Sequence, residues 1–351
     1  MIRGAGRPPR RGRPFVVAFA AALSATALPG LDAAAQAPLF RSDSALVVTL
    51  RTDLRALFRD RDTAVAVWRE ATLIYAGPDS AVAVPLRVRT RGIFRRANCD
   101  VPPLRLRFDE KDVRGTLLDQ VRRPKLVTHC INRDEYEQNL LQEYAIYRIW
   151  RLISPYGFAA RLVRVTYEDS AGRVRPVTRY GIVTEDPERL AQRLGATILT
   201  QTDVRIGRIN RPFASLLGVF QYLIGNTDWA VPMRHNVELL RTADSALYAV
   251  PYDFDWSGII DARYARPAAF LHIQRVTDRV FRGVCQQQDD ILPTLERFEA
   301  LRDSITGVYR SVPGLEPRVL ERALRYLGEF YAAIADRARF WQREVEPRCM
   351  W

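Results

Sequence analysis

The sequence predicts an α+β protein in two lobes, a β-rich N-lobe over residues 36–186 and a mainly helical C-lobe over 187–351. Two observations carry this expectation. Between residues 40 and 131, apolar and polar residues alternate with turn signals between the segments, the period of half-buried strands. Beyond residue 131, apolar residues recur mostly at helical spacing. The 351-residue chain is 48% hydrophobic and 26% charged, a globular composition, and is long enough for two lobes that share a cleft.

Residues 1–35 are expected to be a secretory signal. Arg3, Arg7, Arg10, Arg11 and Arg13 precede the apolar run FVVAFAAALSATALPGL, and the small residues of DAAAQA follow, with cleavage expected after Ala35. The run is too short for a comfortable membrane span, and no other stretch approaches ~18 apolar residues. The expected location is therefore periplasmic or secreted, with no transmembrane span after cleavage. Loss of the leader would take five Arg and one Asp from a chain of net charge +13, leaving +9. Nearly all the cations are arginine. Such a surface suits phosphate, nucleotide or anionic envelope polymers, although a GC-rich genome gives the same composition. No basic repeat interleaved with aromatics stands out, so nucleic acid is not an expected partner.

Cys99, Cys130, Cys285 and Cys349 make an even count, which in an exported chain permits disulfides in three pairings. Cys99 and Cys130 flank neighbouring strand-like segments and are the preferred pair, leaving Cys285 with Cys349 near the helical end. With no CxxC and only His129, His235 and His272, a zinc site is not expected.

In the N-lobe, SALVVTLRT reads as a strand and LRALFRDRD as a short helix or turn. Then VAVWREATLIYAG, AVAVPLRVRTRG, PPLRLRFDE and PKLVTHC read as strands of an antiparallel sheet. The period changes in DEYEQNLLQEYAIYRIWRLI, an amphipathic helix that Asp134 or Asn132 can cap and Pro155 ends. RLVRVTYED and RPVTRYGIVTED form a hairpin across Ser170-Ala171-Gly172. In the C-lobe, PERLAQRLG opens a helix, and PFASLLGVFQYLIGN is a strongly apolar one. A second hairpin ends in PYDFDWSG, and LPTLERFEALRDSITGVYR and PRVLERALRYLGEFYAAIADRARFWQREV are helical.

The chemistry-bearing residues cluster around Gly225–Gly258. Asp228, then Asn236, then Asp253 and Asp255 closing a strand, follow the order in which kinases hold a base and magnesium ions. A polar hairpin whose acids cap turns would show the same residues. Asp228 suits a general base that orients or accepts a hydroxyl proton. The carbonyl oxygen of Asn236 suits a hard cation. Asp253 and Asp255, two apart on extended chain, face one side and repel unless a cation lies between them. Structural calcium is an alternative, although the spacing is not that of an EF-hand. Upstream, Lys125 is one of very few lysines and sits in a short strand ahead of a helix bearing Glu143. A strand lysine paired with a helix glutamate is how kinases orient the α- and β-phosphates. Glu135 and Glu137 compete for that place. Arg89, Arg91 and Gly92 stand where a turn could approach phosphates, and Thr184-Glu185-Asp186 where a hinge could meet adenine.

The series RTRGIFRR, PKLVTHC, LLQEYAIYR, GNTDW with RHN, and PYDFDWSG resembles the exported bacterial relatives of the CotH protein-kinase-like family over most of residues 40–285. The resemblance implies an atypical protein-kinase-like fold that binds ATP with Mg or Mn and phosphorylates a protein hydroxyl. By position, Lys125 would bind phosphate with Glu143 as its partner, Asp228 would be the catalytic Asp, and Asn236 and Asp253 would bind metal. Asp228 and Asn236 stand farther apart than in the usual kinase loop, GxGxxG is missing, and DFD replaces DFG. The leading expectation is an exported kinase-like phosphotransferase acting on an exported protein or envelope component. Its alternatives are a catalytically inactive kinase-like protein for envelope or surface assembly, and a metal-dependent hydrolase built on Asp253, Asp255 and His235.

Overall fold

The computed structural model describes residue 1 and residues 36–62, 64–65 and 67–350. Apart from Met1, the expected signal lies outside the described residues. The chain is α+β. Its first half supplies β1 (Leu46–Thr52), α1 (Leu54–Arg59), β2 (Arg69–Ala76), β3 (Ala81–Thr90), α2 (Phe94–Asn98), β4 (Leu104–Arg107), α3 (Glu110–Val113), β5 (Lys125–Val127), α4 (Asp134–Ile153), β6 (Ala160–Asp169) and β7 (Val177–Thr184). Then follow α5 (Pro187–Arg193), β8 (Ala196–Ile198), α6 (Arg211–Ile224), β9 (Val237–Thr242), β10 (Leu247–Pro251), α7 (Gln288–Ala300), α8 (Arg302–Arg310), α9 (Pro317–Ala335) and α10 (Arg337–Phe340).

The expected antiparallel sheet closes on itself. Seven strands form a barrel in the order β1-β2-β3-β4-β5-β7-β6, and the parallel pairing of β1 with β6 shuts it. Closure removes most of the exposed sheet edge, which is what a run of apolar-alternating strands needs to avoid pairing with other chains. Pro85 is tolerated in β3 because β4 pairs only with Arg87–Thr90, so that part of β3 has one neighbour and one open side. Inward-facing Val48, Leu50, Leu73, Val84, Leu86, Val88, Leu104, Leu106, Leu126, Val163 and Val165 fill the barrel. It is a packed core and not a ligand chamber.

A second apolar cluster lies outside the barrel. It joins Val127, Leu162 and Ile182 on the outer strand faces to α4, α6 and the C-terminal helices. α4 is buried along most of its length for this reason. Its start is not capped by a side chain. Asn132 and Asp134 instead both receive the Arg179 guanidinium, at 2.8 Å each. α6 is capped at its start by Asn210, whose side chain accepts from the Phe213 amide, and ends on Gly225 at φ +64°. A side chain at Gly225 would meet the Tyr326 hydroxyl, so glycine alone allows both the turn and the contact. This termination sets the direction in which the chain leaves for Asp228.

β9 and β10 form a hairpin extended by β8, a strand too short to stand out in the sequence. The disulfides Cys99–Cys130 and Cys285–Cys349 are both present. The first joins the end of α2 to the segment after β5, and the second ties the C-terminus to the segment before α7. Among the described residues, no helix is long and apolar enough to cross a membrane.

Candidate functional site

The site lies where the outer face of β5 meets the open end of the β9–β10 hairpin. α4 organises it. Glu143 and Tyr147, one turn apart on one helix face, stand against two consecutive backbone amides. Tyr147 Oη accepts from Asp253 N at 3.0 Å, and the Phe254 amide lies near enough to the Glu143 carboxylate to favour its charged form. Phe254 is fully buried against Tyr147 and Phe220, with ring centroids 4.9 and 5.7 Å away. This grip holds Asp253 at φ +62°, a left-handed conformation that a non-glycine residue keeps only when its surroundings enforce it.

Lys125 is brought to the same place. Its ammonium stands 4.0 Å from the centre of the Tyr252 ring and 5.7 Å from that of Phe158. Burial, then repulsion from Arg91 and Arg105, pulls it down to about 7, while Asp253 and Glu238 act the other way. Lys125 makes no ion pair with Glu143, which corrects the expected pairing. Glu143 instead meets Arg95 at 3.8 Å. Burial pushes its carboxyl up to about 8, against the pull of Arg95, and Asp255 and Asp253 push it further.

Arg95 is the residue that sequence reasoning missed. Its guanidinium sits among three carboxylates, 2.5 Å from Asp253, 3.6 Å from Asp255 and 3.8 Å from Glu143. It answers the repulsion expected between Asp253 and Asp255 without any metal. Burial raises Asp253, but Arg95, Arg91 and Lys125 outweigh it and hold the carboxyl below its ordinary range. Asp255 goes the other way, up to about 6, because burial and the charge of Asp253 exceed the help it receives from Arg95 and from the Tyr264 hydroxyl at 2.9 Å. Nothing in IFRR separates Arg95 from Arg96, which turns away to pair with Asp60 at 2.6 Å. The short turn of α2 decides which of them enters the site, and the Cys99–Cys130 bridge at its end anchors it.

Asp228 and Asn236 come together despite their eight-residue separation. Asn236 Nδ2 donates to Asp228 Oδ2 at 2.9 Å and to its carbonyl at 2.8 Å, while Asp228 Oδ1 meets His235 Nε2 at 2.8 Å. The Asp228 backbone is braced by Asn226 Oδ1, and the flanking Thr227 and Trp229 carbonyls accept from Arg282. Asn236 is itself left-handed at φ +53°, and its carbonyl accepts from Tyr252 N at 3.0 Å, which sets it beside the Asp253 segment. Asp228 is close enough to Asp255 to raise its pKa.

No family model, curated protein or solved structure matches this chain.

The described residues contain no group of three or more His, Cys, Asp or Glu side chains arranged to hold a metal. That does not exclude the magnesium mode in which one or two protein oxygens and substrate phosphates complete the shell. Among the described residues, three oxygens here have no partner and remain free for that mode: Asp253 Oδ2, Asn236 Oδ1 and Asp255 Oδ1. The other oxygen of Asp255, Oδ2, holds both the Tyr264 hydroxyl and Arg95. Arg91 faces Lys125 and Asp253 and is half-buried. Glu185 is committed to structure: it pairs with Arg193 at 2.9 Å, its carboxylate accepts from Ala159 N at 3.1 Å, and its own amide donates to the Ala159 carbonyl at 2.8 Å. It is a buried brace between β7 and α5. Three roomy grooves of 350–430 Å³ lie elsewhere on the surface, without Lys125, Asp228 or Asp253 in their walls.

Proposed function

We propose that the chain is an exported atypical kinase, CotH-like in plan, with the barrel as N-lobe and the helical half as C-lobe, that transfers the γ-phosphate of ATP to a protein hydroxyl. One observation carries this reading. Lys125, Asp253, Asn236 and Asp228, spread over 129 positions, converge on one locus, where Tyr147 of α4 accepts from the backbone amide of Asp253 in its left-handed conformation. Two disulfides and the lack of a membrane-crossing helix among the described residues are compatible with export.

Each group then has a task. Lys125 and Arg91 bear on the phosphate charge from the barrel side. Asp228, oriented by Asn236 and His235, positions the acceptor hydroxyl and takes its proton as the oxygen attacks phosphorus. Glu143 and Tyr147 hold Asp253 in place, and Arg95 keeps the carboxylates together when no ligand is present. A divalent cation held by Asp253 Oδ2 and Asn236 Oδ1 would neutralise charge developing on the phosphates.

The test is transfer of labelled phosphate from ATP, with Mn or Mg, by the wild type and by Asp253→Ala. The expected result is label on protein with the wild type and a loss of at least ~100-fold with the variant. Equal or absent transfer in both overturns the reading. The Arg95 guanidinium at the centre of the carboxylates favours a second reading, an inactive kinase-like binding protein for envelope or surface assembly. Under it, calorimetry detects no ATP–metal binding and transfer is absent.

A further inference from the structure

A row of cations forms the barrel side of the site. β3, β4 and β5 are successive neighbours, and in their registers Arg89 stands opposite Arg105, which stands opposite Lys125. All three side chains are on the outer face, because the alternate positions Val88, Leu104, Leu106 and Leu126 point into the barrel core. With neighbouring strands ~4.8 Å apart, three cations lie within a span of ~10 Å. Arg91, two residues beyond Arg89 on the same face, joins them: it depresses Lys125, and together with Arg89 it depresses Arg105 after burial has done so. Arg87 and Arg107, also paired across β3 and β4, continue the row outward.

Like charges directly opposite each other destabilise a sheet, and the acids that act against this repulsion, Glu188 and Asp186 on Arg105 and Asp253 and Glu238 on Lys125, do so without reaching ion-pair distance. Adjoining Arg122 and Arg123 are ion-paired to Glu110 and Glu188, at 2.6 and 2.7 Å. Among the described residues, Arg89, Arg91, Arg105 and Lys125 have no ion-pair partner. The Nε atoms of Arg89 and Arg105 are buried and bond to nothing. Arg89 rests on the Trp68 ring at 5.0 Å, and Arg105 donates only to the Arg123 carbonyl at 3.2 Å. Guanidinium groups so placed match a series of phosphate oxygens. On the side where a base would be read, Glu185 has given both its amide and its carboxylate to Ala159 and Arg193.

We propose that the site recognises its donor by the phosphate chain alone, so that a linear inorganic polyphosphate binds along Arg89–Arg105–Lys125 as well as a nucleoside triphosphate does. This rests on the phosphotransferase reading only in taking the Lys125–Asp253 locus as the phosphate site.

The experiment is calorimetric titration of the oxidised, disulfide-bonded chain with inorganic tripolyphosphate, ATP and AMP, each with Mg, repeated on Arg89→Gln and Arg105→Gln. Tripolyphosphate should match ATP to within about threefold, AMP should bind at least about a hundredfold more weakly, and each variant should weaken both polyanions by about tenfold or more. The ligand-free melting temperature checks folding independently: Arg105→Gln removes a repelling charge and should leave it unchanged or higher. ATP binding with tripolyphosphate more than about tenfold weaker overturns the inference and leaves the kinase reading standing. Tripolyphosphate binding that is indifferent to both variants also overturns it. Binding of neither ligand removes both proposals, and tripolyphosphate binding without ATP supports this one against ATP as donor.

Discussion

At the scale of single residues, the barrel and the helices are used to hold charges that would otherwise be unstable. The buried Glu143 and Asp255 and the partly exposed Asp253 share the one guanidinium of Arg95, and Arg91 and Lys125 add to the positive charge acting on Asp253. Breaking such a buried cluster from one side costs far more than an exposed pair contributes. His129 is a simpler case. It is buried behind the acid cluster with neither ring nitrogen bonded, and burial, then Arg179, pulls its pKa down to about 4. The folded protein therefore resists a proton that the unfolded chain accepts near 6.5, so stability is full above 6.5 and falls as the pH drops toward 4. The loss should reach on the order of 3 kcal/mol. Urea titrations at pH 7 and pH 4.5 should show it, and His129→Phe should lose that part of the slope; an unchanged slope in the variant would sink the assignment.

Elements meet at distances that single atoms decide. α6 packs so closely on the segment before Cys285 that a Cβ at Gly218 would lie 2.7 Å from the Gly283 Cα. Gly328 in α9 has nothing within 4 Å of the same atom. Alanine should act oppositely at the two sites. Gly218→Ala should destabilise by about 1–3 kcal/mol through overpacking, whereas Gly328→Ala should stabilise by about 0.5–1 kcal/mol by reducing the freedom of the unfolded chain. Denaturant midpoints measure both, and equal shifts would contradict this packing. α4 shows the same logic in the site, since only a helix buried on both flanks can present Glu143 and Tyr147 to the Asp253 and Phe254 amides without fraying. Its strong apolar period was readable in sequence. The identity of the acid that Lys125 would face was not, because pairing depends on which side chain a neighbouring turn supplies, and here that turn supplies Arg95.

The whole molecule is a closed barrel against a helical half, with one disulfide in each. Cys99–Cys130 spans 31 residues and anchors α2, which carries Arg95, to the end of β5. By loop-closure entropy its loss should cost about 4 kcal/mol. Cys99→Ser with Cys130→Ser should lower the thermal midpoint accordingly and loosen Arg95 from its carboxylates, whereas an unchanged midpoint would mean the bridge is not formed in solution. The sequence by itself determined the order of the main strands and helices, the Asp228–Asn236–Asp253 series and an even cysteine count with Cys99–Cys130 as the preferred of three pairings, because these follow from period, spacing and count. Only the tertiary structure decided three other features: the parallel β1–β6 seam that closes the barrel, the commitment of Glu185 to Arg193, and the place of Arg95 between Asp253, Asp255 and Glu143. All three are contacts between segments far apart in the chain, chosen by how whole elements pack, and local pattern carries no trace of them.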